Sequence, residues 1–264
     1  MPFTLNGSLR YYTFSSLDEM DVTHAVFTRL GGVSPKPWDS LNVGGTVGDD
    51  SSRVKENLNR SLKVFNRDIE SIFDVWQVHG ADVVIAEQPR QKFSHYQKAD
   101  IIITNKKNVS LFMRFADCVP ILLYDPKSLV IGLVHAGWKG TIKKAVSVAI
   151  NTLHREYASS PGDIVACLGP SICKRHYEVG SEVIQAADNV FGNDASKILS
   201  NNNGSPPNQK ANFDLWAANI MLLENAGVNK IEVSNICTAC HLDDWYSYRL
   251  EQGVTGRFGV LMSL

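Results

Sequence analysis

Short continuous apolar runs alternate with polar turns along most of the chain, and in a few stretches the apolar positions recur instead at the helical spacing of about 3.6. Runs rich in β-branched and aromatic residues predict strands over 22–28, 72–78, 81–86, 100–104, 111–115, 119–124, 129–134, 164–168 and 230–236. Val54, Leu58, Leu62 and Phe65 recur at helical spacing after Gly48-Asp49-Asp50-Ser51 and predict a helix over 51–65. Val146, Ala149, Ile150 and Leu153 give the inward stripe of a second helix over 141–157. Shorter helices are expected over 181–191 and over 213–226, the latter stopped by Gly227, and the polar stretch 200–210 reads as a surface loop. Strand, helix and strand across 129–168 read as a right-handed βαβ unit, so mixed sheets with helices outside them are expected.

The most informative stretch is Leu111 to Gly140. Two apolar strands flank Asp125-Pro126-Lys127-Ser128, a turn sequence with proline where its fixed φ suits the second position. A four-residue type I loop there pairs residues whose numbers sum to 253, which sets Tyr124 against Leu129 and Cys118 against His135. Directly opposed side chains lie about 4.5–5.5 Å apart at Cβ, close enough for a thiolate and an imidazole to share a metal ion or to act as a nucleophile and base. Pro120 brings no N–H to the ladder, so a bulge or a slipped register is compatible with the same sequence. A lone cysteine or histidine in an apolar strand is ordinarily structural, and it is the pairing of the two that raises the functional reading.

Length and charge narrow the class. The chain has 264 residues, 44% of them hydrophobic and 20% charged, with a formal net charge of −1. It is long enough for a large core and reads as one domain over 1–264, or two closely merged halves. Near-neutral charge leaves no footprint for nucleic acid or an anionic membrane, so a small-molecule partner is expected. No apolar run approaches the length of a membrane span and the first residues lack a basic and apolar leader pattern, so the expected location is the cytoplasm. Five cysteines in such a chain argue for reduced thiols rather than a disulfide framework.

Other motifs are weaker taken singly. Thr28-Arg29-Leu30-Gly31-Gly32 is a double-glycine turn able to bring backbone N–H groups and Arg29 to a ligand. His79, in Gln77-Val78-His79-Gly80 between two strands, is the natural third ligand beside Cys118 and His135. Gly137-Trp138-Lys139-Gly140 leads from a strand into a helix, a position suited to an anion. Cys237-Thr238-Ala239-Cys240-His241 has the C-x-x-C-H spacing of haem attachment, which belongs to exported proteins and is set aside here. A structural zinc site is set aside too, for want of a second C-x-x-C. The segment from Tyr246 to Arg249 with Thr255-Gly256-Arg257 suits a planar ring and an anion, or a packed C-terminal strand.

Taken together, the motifs Phe27-Thr28-Arg29-Leu30-Gly31-Gly32-Val33-Ser34, Ser40-Leu41-Asn42, Gln77-Val78-His79-Gly80, Ala116-Asp117-Cys118-Val119-Pro120, His135-Ala136-Gly137-Trp138-Lys139-Gly140, Gly169-Pro170-Ser171-Ile172, Tyr177-Glu178-Val179 and Thr255-Gly256-Arg257 resemble the YfiH, or laccase-domain, family of purine nucleoside phosphorylases. The resemblance implies an α+β fold of four layers, α/β/β/α, with mixed sheets. It also implies a zinc enzyme that phosphorolyses adenosine, inosine, guanosine and methylthioadenosine and deaminates some adenosine, with His79, Cys118 and His135 on the metal. The family often carries a second arginine after its C-terminal Ser-x-Arg, where this chain has Leu250.

Two histidines and a cysteine would leave zinc one open position, as in catalytic sites. For deamination the expected attack is by an activated water on C6 of adenine, with Cys118 on the metal and Asp117 as general acid/base, although strand alternation also permits a purely structural Asp117. Phosphate is expected near Lys139 or Arg29 and the base near Tyr248 and Arg249, with Asn42 and Gln77 of the shared motifs completing the substrate contacts. Seven histidines are too few for a four-copper oxidase once three are committed, while a single copper on the same ligands would colour the protein. A metal-free Cys118/His135 amide hydrolase acting on cell-wall precursors and a non-catalytic nucleoside binder are the remaining alternatives.

Overall fold

The computed structural model of the chain describes residues 3–91, 94–201 and 209–264, and most of the loop expected over 200–210 lies outside the described residues. In chain order the first elements are β1 (Phe3–Asn6), β2 (Leu9–Tyr12), the single turn α1 (Ser15–Asp18), β3 (Thr23–Phe27), α2 (Ser51–Lys63), β4 (Ile72–Phe73), β5 (Val83–Ile85), β6 (Ile101–Thr104) and β7 (Ser110–Phe115). They are followed by β8 (Val119–Asp125), β9 (Val130–Ala136), α3 (Trp138–Ile142), α4 (Ala145–Tyr157), β10 (Val165–Leu168), β11 (Glu178–Gly180), α5 (Ser181–Phe191) and α6 (Ala195–Ile198). β12 (Leu199–Asn201), β13 (Lys210–Phe213), α7 (Leu215–Asn225), β14 (Lys230–Val233) and β15 (Phe258–Ser263) complete the fold.

Two six-stranded sheets dominate, with strand orders β1-β2-β3-β15-β7-β4 and β14-β10-β8-β9-β6-β5, and β11-β13-β12 form a small third sheet. Most neighbours are antiparallel, while β4 with β7, β5 with β6 and β10 with β14 are parallel, so the large sheets are mixed as expected. β10 pairs with β8 rather than with β9, so the crossover through α4 passes over one strand before rejoining the sheet.

Strand alternation divides the apolar side chains among three cores. Ile102, Leu122, Ile131 and Leu133 of the second sheet meet Val26, Leu111, Met113 and Val260 of the first. On the opposite face of the second sheet Ile101, Ile103, Ile121, Leu123 and Val134 pack on Val146, Ala149, Ile150 and Leu153 of α4 and on Leu222 and Leu223 of α7. The far side of the first sheet, through Tyr11, Phe27, Phe112 and Leu261, packs on Leu58 and Leu62 of α2. Each large sheet therefore covers the other on one face and carries helix on the other.

Local chemistry sets the element ends. Asp50 caps α2 by accepting from the N–H groups of Ser52 and Arg53, and Asp214 caps α7 by accepting from that of Ala217. The helix expected over 141–157 is divided in two, because Lys144 adopts φ 57° and so ends α3 and redirects the chain into α4. Asn219 of α7 donates to the buried Thr141 hydroxyl at 2.9 Å and ties α3 down. β1 and β2 are not among the predicted strands, since each is only four residues long and the Asn6-Gly7 turn interrupts their pattern.

The central hairpin forms, but in a different register. Asp125 pairs with Val130 and Pro120 with His135, a sum of 255 rather than 253. The Asp125 carboxylate accepts from the N–H groups of Lys127 and Ser128 at 2.8 and 3.3 Å, which holds Asp125 as the last paired residue, and Leu129 closes the loop at φ 48°. Cys118 thus lies just outside the ladder, one step beyond the Val119–Ala136 pair, and is diagonal to His135 instead of opposite it. A change of two in the sum preserves strand parity, so both side chains still project to one face.

Candidate metal centre

His135 lies near the end of β9, Cys118 immediately before β8 and His79 in the turn ahead of β5, and their donor atoms all fall within 4.8 Å of one another. What brings the two histidines together is Asp100, just before β6. Its carboxylate accepts from the N–H groups of Val78, His79 and Gly80 at 3.1, 3.0 and 2.6 Å, and its Oδ1 is 2.8 Å from His135 Nδ1. One buried group therefore holds the turn that presents His79, whose φ of 59° is in the left-handed region, and sets the ring of His135. With Nδ1 engaged by Asp100, His135 has Nε2 available for a metal or for the thiol. The rings of His79 and His135 meet edge to face with centroids 4.9 Å apart. Glycine is required at 137, because a Cβ there would lie 2.7 Å from Cys118 Sγ.

The electrostatics favour an ionised thiol. Burial opposes ionisation of Cys118, but the adjacent His135, with a further contribution from His79, brings the thiol down to about 6. Burial likewise disfavours a charged His135, yet the Cys118 thiolate and the Asp100 carboxylate raise it to about 9. Asp100 is pushed up by burial, but its bonds from His135, Gly80 and Val78 hold it below the usual carboxylate range. A thiolate and two imidazoles, one of them backed by a carboxylate, are a donor set that fits zinc or copper, with three ligands and one side open.

The trio opens on a cavity of about 1240 Å³ whose wall includes Gln77, Arg114, Asp117, Lys139, Tyr177, Tyr248, Arg249 and Arg257. Asp117 sits against the cavity at φ 80°, with its carboxylate accepting from the Thr238 hydroxyl at 2.6 Å and the Arg249 N–H at 2.7 Å. Burial raises its carboxyl above the ordinary range, with those bonds acting the other way. The Gln77 amide is pinned to the backbone of Arg114 in both directions. Lys139 is held 5.4 Å from the Trp138 ring centroid. Arg249 donates to Glu178 O at 2.7 Å and lies over Tyr177, while Tyr248 is half exposed with Arg257 beside its ring.

Arg29 and Asn42 are placed elsewhere. Arg29 is buried, donates to the carbonyls of Asp39 and Leu242 and to Glu251, and lies over Tyr246, so it braces the C-terminal segment instead of facing the cavity. Asn42 is fully buried and bonds Gly44, Asp49 and the N–H of Arg257. The double-glycine turn also serves packing: a Cβ at Gly32 would lie 2.0 Å from Ser40 O, and its N–H is taken by the Ser40 hydroxyl. Sequence reasoning missed Asp100, Arg114 and Tyr177; the one local signal for Asp100 is a charge directly ahead of the apolar run Ile101-Ile102-Ile103. It also treated Cys237 and Cys240 as plain thiols, whereas they meet Cys173 and His176.

The chain is similar to known proteins over most of its length. A family model described as multi-copper polyphenol oxidoreductase laccase matches residues 23–264. The purine nucleoside phosphorylase YlmD of Bacillus subtilis is 36% identical over 238 residues, covering 87% of this chain and 84% of that protein. A purine nucleoside phosphorylase of Bacteroides thetaiotaomicron is 32% identical over 252 residues, 91% of this chain and 90% of that one. Among solved structures, the Bacillus licheniformis hypothetical protein YfiH superposes with TM-score 0.90 at 29% identity, covering 100% of this chain and 99% of its own.

Proposed function

This chain belongs to the multi-copper polyphenol oxidoreductase laccase family, and we propose that it acts as a purine nucleoside phosphorylase. Its substrates in this reading are adenosine, inosine, guanosine and methylthioadenosine with phosphate, accompanied by adenosine deamination, and its metal is zinc on His79, Cys118 and His135. The observation that carries the reading is the convergence of that donor trio with Asp117 and the cations Lys139, Arg249 and Arg257 on one cavity large enough for a nucleoside and an anion. Relatives named purine nucleoside phosphorylases support it. When bound, a divalent ion supplies a Lewis acid at an open coordination position.

Phosphorolysis forms a bond from a phosphate oxygen to ribose C1′ as the C1′–N9 bond breaks, and the bonding pair leaves with the purine, which takes up a proton. Lys139 and Arg257 offer positive charge to the phosphate, and the rings of Tyr248 and Tyr177 offer faces for the base. Asp117, its carboxyl raised by burial, suits delivery of the proton, while Thr238 and the Arg249 N–H hold its orientation. Asp100 acts through His135 by fixing its tautomer. A reducing compartment such as the cytoplasm suits a chain whose five cysteines are all free. The test is incubation with adenosine in the presence and absence of phosphate. Adenine and ribose 1-phosphate formed only with phosphate are expected, and no turnover of any of the four nucleosides by zinc-loaded protein overturns the reading.

One observation favours a second reading: Cys118, lowered to about 6, next to His135 that is oriented by Asp100, is also a nucleophile, base and orienter. It predicts amide hydrolysis by metal-depleted protein, abolished by alkylation of Cys118.

A further inference from the structure

A second group of metal donors lies outside the cavity. Cys173 precedes a single 3₁₀ turn, Lys174–His176, that His176 ends, and Cys237 and Cys240 come from the loop after β14. Their three sulfurs and the His176 Nδ1 all lie within 4.8 Å of one another. Nδ1 is 3.6 Å from Cys173 Sγ, 3.7 Å from Cys237 Sγ and 3.5 Å from Cys240 Sγ. We propose that these four residues form a structural zinc site of Cys₃His type, separate from the His79/Cys118/His135 centre.

The distances are those a tetrahedral ion imposes. With Zn–S of about 2.3 Å and Zn–N of about 2.0–2.1 Å, each sulfur sits about 3.5–3.6 Å from the nitrogen. Hydrogen bonding does not account for the same arrangement, because a ring nitrogen has either one hydrogen or one lone pair in the ring plane and cannot serve three thiols at once. None of the three cysteines is in a disulfide. Both halves have the two-residue spacing of zinc knuckles, Cys173-x-x-His176 and Cys237-x-x-Cys240.

The surroundings suit an anionic cluster. Three thiolates and a neutral imidazole around a divalent ion carry one net negative charge, and the Arg175 guanidinium donates to Cys240 Sγ at 3.2 Å. The backbone N–H of Cys173 donates to Cys237 Sγ at 3.2 Å, the N–H to sulfur contact that steadies a metal-bound thiolate. The two loops are also laced by backbone bonds from Ser171 N–H to Ile236 O and from Thr238 N–H to Ser171 O, so the knuckles are already held face to face.

The cross-link lies directly behind the cavity wall. Thr238, between the two cysteines, donates to Asp117, and Tyr177, next to His176, lies under Arg249. An ion here fastens the segment carrying Tyr177 to the segment carrying Thr238, and so positions Asp117 and Arg249 without touching substrate.

The experiment is zinc analysis, with zinc-edge X-ray absorption, on full-length protein purified without chelator. The wild-type protein is expected to hold about two zinc ions per chain with an average of about two sulfur neighbours each, against one sulfur if only the His79/Cys118/His135 centre binds. The Cys118→Ala protein should retain an ion with three sulfurs and one nitrogen. Cys240→Ser should lose that ion, and His176→Cys, which preserves a four-donor shell, should keep it. A wild-type protein with an average of one sulfur per zinc, or a Cys237–Cys240 disulfide found by mass spectrometry in the zinc-saturated protein, overturns the proposal without bearing on nucleoside turnover.

Discussion

The two donor clusters differ in number, surroundings and consequence. His79, Cys118 and His135 give three donors on the rim of a large cavity, with Asp100 behind them tying together the two elements that carry the histidines. Cys173, His176, Cys237 and Cys240 give four donors between two loops, with Arg175 beside them and no share in the cavity lining. A shell with a place left over can take a substrate or water, while a complete shell can only hold chain together. On the two proposals above, similar side chains serve chemistry in one place and cohesion in the other, and the count of donors separates the two.

That contrast can be broken by removing one donor from each cluster. Cys118→Ala should abolish phosphorolysis, a loss beyond the roughly 10–100-fold typical of groups that only support a ligand, while a thermal melt of the zinc-loaded protein stays cooperative. Cys237→Ser should do the reverse. A cross-link between 176 and 237 closes a loop of about 60 residues, worth about 4 kcal/mol on the chain-entropy scale for covalent links. On that scale the melting midpoint should fall by roughly 10 °C, with turnover only partly reduced.

Asp100→Asn tests the support behind the first cluster. The amide keeps an acceptor for the 78–80 turn but loses the charge that backs His135, so zinc affinity at that centre should fall about 10–100-fold, read by chelator competition, with the second ion unaffected. The smallest effect separates acid sensitivity of the fold from that of the metals. His24 Nε2 accepts from the Phe14 N–H at 2.7 Å, a bond only neutral imidazole can make. Burial lowers its affinity for protons, with the bond to Val22 O and the nearby Asp18 acting the other way. The unfolded chain therefore takes up the proton more readily, so this contribution is complete above about pH 6.5 and is lost as pH falls, at up to about 1.4 kcal/mol per unit. Denaturant midpoints of metal-depleted protein should fall from pH 7 to 5, and His24→Gln should flatten the slope.

Much was legible in the chain alone. Continuous apolar runs placed the main strands, which are covered on both faces, the 3.6-residue stripe placed the helices, which bury one face, and the Asp50 cap of α2 is a local device. The motifs singled out His79, Cys118 and His135, and the structure brings their donors together. The hairpin itself was determined locally, but its register turned on whether Asp125 opens the loop or closes the ladder, a choice made by hydrogen bonds from Lys127 and Ser128.

What only the tertiary structure decided concerns residues distant in sequence. Asp100 has no local mark as the partner of His135, since its role exists only when β6 lies against β9. Arg29 and Asn42 look like ligand-binding residues until the C-terminal segment engages them, Leu242 O accepting from Arg29 and the Arg257 N–H donating to the Asn42 side-chain oxygen. Cys173 and His176 meet Cys237 and Cys240 only because Ser171 is bridged to Cys237. Sequence by itself determined which segments bury a face and which residue types are reactive, because both follow from neighbours along the chain. Which reactive groups share a site was decided by the packing of the sheets and loops, because donors separated by tens of residues are brought within bonding reach only when the fold closes.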